Sequence, residues 1–440
     1  MSGREQSFEA AAPSGDAPPI VSVIMANYQG AAHIGAALAS VLGQTFSSLE
    51  VIVSDDASSD ASLAIVQAAM RSDSRVRLIE APANGGPARA RNRALEAARG
   101  AWIAIVDSDD IIHPERLERL LAAAARLEAD IVADDLLTFS DGPEVSTLLD
   151  GTRTGAFSVT ARDWIAAGSA GTPALGYVKP LIRRTVLGEA RYDETLRIGE
   201  DFDLLLRLLL GGARFQMIAE PWYLYRRHGG SISHRLSIAT MAAMITAQQA
   251  VAEKLGPFEP ALAEAFAERL AGLRHGLDFE LLVAALKRGR VGEAIGVLGR
   301  DPGLLSRLVG SAGDRLRREA ARLRPAQPRT TTRALHLAEQ ARPGSLDEAA
   351  VVETVPPYPS PSDTSWGRHR AVWMRLAGLG AGAAQPLNVS CDGAAGRYAA
   401  GFIPGAMPAA VAVASAVNDA IPARRPSGVA ASAVQAEVTP

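Results

Sequence analysis

"WIAIVDSDDIIHPERLERL", residues 102–120, holds the reading that decides the fold. A β-prone apolar run from Trp102 stops at Asp107, Asp109 and Asp110, and a helical pattern begins almost at once, with Pro114 at a first helical position where its missing amide proton costs nothing. Like charges crowded at the mouth of a buried strand repel one another. They either cap a turn or hold a cation, and the surrounding sequence has to decide between the two.

Upstream, the same grammar repeats. "VSVIMAN" (21–27), "LEVIVSDD" (49–56) and "RVRLIE" (75–80) read as strands, and between them lie helices. The first helix carries Ile34, Leu38, Val41 and Leu42 on one face; "SLAIVQAAM" (62–70) and "PARARNRALEAA" (87–98) follow. Strands alternating with amphipathic helices predict an α/β domain with a mostly parallel central sheet flanked by helices, Rossmann-like, over residues 19–235. Residues 1–18 read as a flexible tail, 236–324 as an Ala- and Leu-rich helical extension, and 325–440, rich in Pro, Ala, Gly, Ser and Thr, as a largely disordered or loosely attached low-order tail.

Bulk properties remove several function classes. The chain has 440 residues and a net charge of −3, so nothing global attracts nucleic acid. One cysteine, Cys391, excludes an intrachain disulfide framework and fits a reducing compartment. The N-terminus lacks an apolar signal core, and "AAVAVASAV" (409–417) is about half the roughly 20 residues that span a bilayer. Together these predict a soluble cytoplasmic protein, in which the sequon at Asn388 is fortuitous.

In an open parallel sheet, ligands bind beyond the carboxyl ends of the strands. The first strand ends in Asn27 and Tyr28, the second in Asp55 and Asp56, the fourth in Asp107 and Asp109. A strand order of 3-2-1-4 puts all three ends in one crevice. Singly, each motif has a structural alternative. "SDDASSD" (54–60) is also an Asx turn leading to a helix capped by Asp60, and D-x-D is common in turns. Placed together they suit a hard divalent cation, Mg²⁺ or Mn²⁺, which takes one or two carboxylates and fills its remaining positions with phosphate oxygens and water. "NGGPARARN" (84–92) is neither a dinucleotide fingerprint nor a P-loop; it reads either as a helix entry with solvated arginines or as a contact to a diphosphate. Glu200 and Asp201 in "RIGEDFDLLLRLL" (197–209) open an apolar helix whose dipole favours carboxylates, and as neighbouring acids they also suit general-base work. "YLYRRHGGSISH" (223–234) is a polar loop or, beside an anion, a clamp.

In this order and spacing, "VSVIMANYQGAAHIGAALASVLGQTFSSLEVIVSDDASSD", "NGGPARARNRAL", "WIAIVDSDD" and "GEDFDLLLRL" resemble the inverting glycosyltransferases of family 2, which have the GT-A fold. "GYVKPLIRR" and "YRRHGGSISHRL" are most like those assembling bacterial exopolysaccharides of the succinoglycan type. The resemblance covers residues 20–235. It implies a nucleotide-diphosphate sugar donor, UDP-linked, and a Mg²⁺ or Mn²⁺ cofactor. It implies Asn27, Tyr28, Asp55, Asp56, Arg91, Asp107 and Arg226 around the donor nucleotide, and Asp109, Asp107 and His228 at the metal. Asp201 would be the catalytic base, with Glu200 beside it. The processive synthases' Q-x-x-R-W signature is missing, which favours one sugar added per encounter. The acceptor implied is a growing glycan or lipid-linked oligosaccharide. Peripheral membrane contact through "RLRREAARLR" (315–324) competes there with a plain solvated helix face. Two rivals differ in class. A sugar-phosphate nucleotidyltransferase would need a Gly-rich phosphate loop after the first strand, which "ANYQGAAHI" does not supply, and a non-catalytic nucleotide-sugar-binding subunit would have lost the acids of "GED".

Overall fold

The computed structural model describes residues 17–140, 144–169, 171–228 and 237–309, and the segments 334–338, 350–354, 372–378, 388–391 and 398–404. The first half alternates β1 (Val21–Asn27), α1 (Ile34–Leu42), β2 (Leu49–Asp55), α2 (Ser62–Ser72), β3 (Val76–Glu80), α3 (Pro87–Ala97) and β4 (Trp102–Ile105). These four strands are parallel in the order β3-β2-β1-β4, the order on which a shared crevice depends, so their carboxyl ends share one edge.

The second half comprises β5 (Ile111–Ile112), α4 (Arg116–Arg126), β6 (Ile131–Phe139), β7 (Ser146–Thr147), β8 (Ala156–Val159), α5 (Ala161–Ala166), β9 (Leu181–Arg183), α6 (Arg184–Leu187), α7 (Glu200–Leu210) and β10 (Phe215–Arg226). It extends the sheet as β9-β6-β10-β5. Strand β9 runs antiparallel to both β4 and β6, whereas β10 is parallel to β6 and antiparallel to β5.

The sequence of the strands explains the layering. In β1, Val21, Val23 and Met25 face one hydrophobic cluster and Ile24 the other; in β2, Val51 and Val53 oppose Ile52. Alternate residues point to opposite faces, so a strand apolar throughout has to be covered on both sides. Helices α1, α2 and α4 supply one cover through Ile34, Leu38, Val66 and Leu117, and α3 and α7 the other through Ala94, Leu95 and Leu204–Leu206. Each fully buried aliphatic side chain in these layers contributes about 1.5–3 kcal/mol.

Beyond the sheet, α8 (Ile238–Leu255) and α9 (Pro260–Lys287) bury Val251, Ala265 and Phe266 against the second layer. The Arg269 guanidinium of α9 lies 3.7 Å over the Phe202 ring of α7. Helix α10 (Val291–Arg300) packs Ala294 and Val297 on α9. Strands β11 (Ala334–Ala338), β12 (Ala350–Thr354) and β13 (Asn388–Cys391) form a small parallel sheet.

Two expectations need correction. The helix after the acid loop starts at Arg116, not Pro114, because β5 intervenes: His113 N–H donates to Trp222 O at 2.8 Å and ties the turn to β10. The reading of 325–440 as loosely attached fails for two of its segments. Trp373, Leu376, Tyr398, Phe402 and Ile403 are buried in the same cluster as Val21 and Leu117. The Trp222 indole N–H donates to the Tyr398 hydroxyl at 3.0 Å, and Arg119 lies 4.7 Å over the Tyr398 ring. His113 Nδ1 accepts from the Glu115 amide, so its Nε2–H donates to Tyr398 O at 2.8 Å. Burial holds this imidazole neutral, its pKa lowered to about 3. Low-complexity composition hid a few large anchors that complete a core instead of forming their own. Residues 1–16, 229–236, 315–324 and 409–417, which carry other sequence expectations, lie outside the described residues.

The seat is tight. A Cβ at Gly401 would stand 2.3 Å from the His113 ring. Gly401→Ala is therefore expected to cost about 1–3 kcal/mol through overpacking. A urea melt measures this, and an unchanged midpoint would mean that 398–404 does not sit against His113.

Candidate active site

Directly after β4 the chain turns through Asp107–Asp110, and β10 fixes that turn from beside it. The Tyr223 hydroxyl accepts from Asp107 N–H at 3.1 Å and donates to Asp110 Oδ2 at 2.7 Å, while Arg226 N–H donates to Asp110 Oδ1 at 2.7 Å. Asp110 is thus the inward anchor of the loop. Burial, then the charges of Asp109 and Asp107, push its carboxyl well above the usual range. Asp109 points outward with its side chain 34% exposed, and its Oδ2 lies 2.9 Å from His228 Nε2. Arg226 Nε donates to Asp109 O at 2.9 Å, so Arg226 sits on the loop itself. The His33 and His228 rings meet at 5.1 Å.

Asp107, Asp109 and Asp110 each offer a carboxylate oxygen within 4.8 Å of the others. Their surroundings differ. Both oxygens of Asp110 accept hydrogen bonds inside the chain, and Asp107 is held by two cations. Asp109 with His228 is the pair that could hold a divalent cation, with Asp107 adjacent. One carboxylate and one imidazole leave most of the coordination sphere to a diphosphate and water, which is how Mg²⁺ and Mn²⁺ are commonly bound.

Behind the acid loop lies a buried charge network joining four elements. Arg91 of α3 donates to Asp107 Oδ1 at 2.8 Å and to Glu200 Oε1 at 2.5 Å, with Asp201 Oδ1 3.7 Å away. Lys179, just before β9, places Nζ 2.8 Å from both Asp107 Oδ2 and Asp201 Oδ2. Burial raises the Asp107 carboxyl, but Lys179 and Arg91 overcome it and hold it well below the usual range. Burial dominates at Glu200 and raises it, with Arg91 acting the other way. Asp201 Oδ1 is buried and accepts no hydrogen bond, with the Arg91 guanidinium at ion-pair distance.

Local sequence explains why the two acids of α7 arrive there. Gly199 precedes the helix at φ +89°, a conformation that favours glycine, and a Cβ would stand 3.1 Å from Met244 Cε. Glu200 and Asp201 then fall in the first turn, where the helix dipole stabilises carboxylates. Asn92 fixes the approach to the helix, donating to Tyr192 O at 3.0 Å and accepting from Tyr192 N–H at 2.9 Å.

The crevice wall is built as the strand ends foretold, but its acids are occupied. Asn27 Nδ2 donates to Asp55 Oδ2 at 2.7 Å, and Asp55 Oδ1 accepts from Ser58 N–H at 2.8 Å. Asp56 Oδ2 accepts from the amides of Gly85 and Gly86 at 2.8 and 2.7 Å, and Arg93 binds Oδ1 at 2.7 Å. Asp56 is only 2% exposed, and its carboxylate holds the glycine loop in place. Asp60 does serve the turn, accepting from Ser62 N–H at 3.0 Å. The Asx-turn reading of "SDDASSD" therefore holds, although Ala61 and not Asp60 stands at the N-cap of α2. Tyr28 stands at the mouth, 53% exposed. In "NGGPARARN" the solvated-arginine reading suits Arg89, which pairs with Glu194 at the surface; Arg91 is turned inward.

Sequence reasoning missed Lys179, Tyr223, Arg93 and Asn92. A lysine inside the apolar run "GYVKPLI" was the one available signal, because such a position is rarely given to a buried charge without a partner.

Residues 22–170 match the family model "Glycosyl transferase family 2". The chain is 36% identical over 315 residues to "Succinoglycan biosynthesis protein ExoO" of Rhizobium meliloti (strain 1021), covering 70% of this chain and 90% of that protein. It is 34% identical over 228 residues to "Succinoglycan biosynthesis protein ExoU" of the same organism, covering 49% of this chain and 65% of that protein. Among solved structures, S. aureus TarS 1-349 in complex with UDP-GlcNAc superposes with a TM-score of 0.50 at 23% identity, covering 64% of this chain and 80% of that one. That likeness bears on the fold and agrees with the expected GT-A architecture. Given the extent and identity of the match to its relatives, the chain belongs to glycosyl transferase family 2 and is a glycosyltransferase.

Proposed function

We propose that the chain transfers one hexose from a UDP-linked sugar to a hydroxyl of a lipid-linked or polysaccharide acceptor, with inversion, in exopolysaccharide synthesis. The observation that carries this reading is the shared network. The acid loop after β4 and the start of α7 are far apart in sequence, yet Lys179 lies 2.8 Å from an acid of each. The relatives' names, succinoglycan biosynthesis proteins, fit a protein working on a glycan.

In this reading Asp201 takes the proton of the acceptor hydroxyl. The oxygen forms its bond to the anomeric carbon from the face opposite the diphosphate, and the bond to the diphosphate oxygen breaks with its electron pair leaving on that oxygen. One displacement turns an α-linked donor into a β-glycoside. Asp109 and His228 would hold Mg²⁺ or Mn²⁺, which when bound stabilises negative charge on the departing diphosphate. Asp56 and Asn27 shape the nucleotide wall, Tyr28 closes its mouth, and Arg226 keeps the acid loop in place.

Nucleotide release from a panel of UDP-, GDP-, dTDP- and CMP-sugars with Mn²⁺ tests the reading. Release from a UDP-hexose above the others is expected. No release from any donor, with or without a glycan extract, would contradict it.

A further inference from the structure

Lys179 has no part in the reaction as described above, yet it is a buried cation that bridges acids of two elements at the site. We propose that Lys179 is a positioning residue for transfer: its ammonium ties Asp201 to the acid loop and fixes the orientation of the Asp201 carboxylate. This rests on the reading of Asp201 as the base.

Three observations converge. First, Nζ is 2.8 Å from Asp107 Oδ2 and 2.8 Å from Asp201 Oδ2, and the residue is only 5% exposed, so the bridge is shielded from water. Second, the two acids are not equally dependent on it. Asp107 keeps Arg91 at 2.8 Å on its other oxygen, whereas Asp201 has Lys179 on Oδ2 and on Oδ1 only the longer 3.7 Å ion pair to Arg91, with no hydrogen bond. Removing the ammonium therefore loosens Asp201 more than Asp107.

Third, the backbone that presents the lysine is itself locked. The Lys179 carbonyl accepts from Arg116 Nη2, and Arg116 is paired with Asp134 at 2.8 Å with neither side chain exposed. The next carbonyl, Pro180 O, accepts from Ile105 N–H at 3.2 Å at the end of β4, and Val178 and Leu181 are fully buried on either side. The same Arg116 guanidinium lies 4.9 Å over the ring of Tyr223, whose hydroxyl holds Asp107 and Asp110. One buried pair thus supports both the lysine and the loop it reaches, which gives the base and the metal loop a fixed separation.

The test compares Lys179→Met, similar in bulk and neutral, with Lys179→Arg, larger and charged. Lys179→Met is expected to lower kcat about 100-fold, the scale of a misplaced reacting group, with the donor KM within about threefold of wild type. Lys179→Arg is expected to recover at least about tenfold of that loss, since a guanidinium can span two carboxylates. A packing role predicts the reverse order, with Met equal to or better than Arg, and that result would overturn the proposal. A double-mutant cycle covers the case in which Arg is not accommodated. In an Asp201→Asn background, Lys179→Met should cost less than about threefold in residual turnover, because the group it positions is already disabled. A full 100-fold loss there would equally overturn it. Wild-type chain inactive on every donor would instead remove the underlying reading, whereas an active wild type with an unaffected Lys179→Met removes this proposal alone.

Discussion

Asp201→Asn is expected to lower the transfer rate by about 10²–10⁴-fold, the contribution of a positioned general base. Donor affinity should stay within about threefold, since an interaction made only in the transition state is lost. The physical basis is specific. The amide retains an oxygen able to accept from Lys179, which now lies 2.8 Å from Oδ2, but it cannot take a proton from the acceptor. Glu200 is the natural competitor for the role, being the neighbouring acid with its pKa raised by burial. Its carboxylate, however, is tied to Arg91 at 2.5 Å, whereas Asp201 Oδ1 stands 3.7 Å from Arg91 and accepts no hydrogen bond. Steady-state kinetics on both variants separate the two. Asp201→Asn should be the slower enzyme, and a Glu200→Gln variant that loses more than Asp201→Asn would move the base to Glu200.

The second large effect is expected at Asp109. Asp109→Ala should lower kcat/KM by about 10²–10³-fold with saturating donor metal, corresponding to the several kcal/mol that a cation supplies to a departing diphosphate. Its side chain is 34% exposed and pairs with His228, so its loss should leave the melting temperature nearly unchanged. A Mn²⁺ titration of activity checks the assignment: the wild type should be stimulated steeply and the variant hardly at all. Wild-type turnover equal with and without a chelator would place charge stabilisation on Arg91, Lys179 and Arg226 instead.

Most of what the sequence made legible lies in the first half of the sheet. There, near-continuous apolar runs alternate with one-sided helices, and a parallel strand buried on both faces leaves that trace. The strand order itself is only a supposition from the sequence; the structure supplies 3-2-1-4, and with it the meeting of Asn27, Asp55 and Asp107 along one edge. The second half was less readable because its strands break the pattern. Strand β6 carries Asp134 and Asp135 mid-strand, one neutralised by Arg116 and the other capping the Leu136 and Leu149 amides; both are solved by tertiary partners that no local window contains. Strand β10 contains Glu220 and Pro221 at an irregularity in its pairing with β6. Lys179 was invisible for the same reason: a buried cation is recognised by its acids, and they lie in other elements. In the C-terminal region, Ala and Gly dilute Trp373, Tyr398 and Phe402 until no period survives, and only the cavity they fill beside His113 and Trp222 gives them meaning.

The site assignments also differ in how they would respond to error. Asp110 and Asp109 are adjacent and chemically identical, yet burial and the Tyr223 hydroxyl turn one into scaffold, while exposure and His228 leave the other available. Sequence spacing alone favours neither.

Calorimetric titration of UDP into the wild type and into Asp109→Ala, each with and without Mn²⁺, tests most directly whether the gathered acids form a cation–diphosphate pocket. Binding at least about tenfold tighter with Mn²⁺ in the wild type, a gain of about 1.4 kcal/mol, and absent from Asp109→Ala, is the expected result. Equal affinity in all four titrations would contradict it.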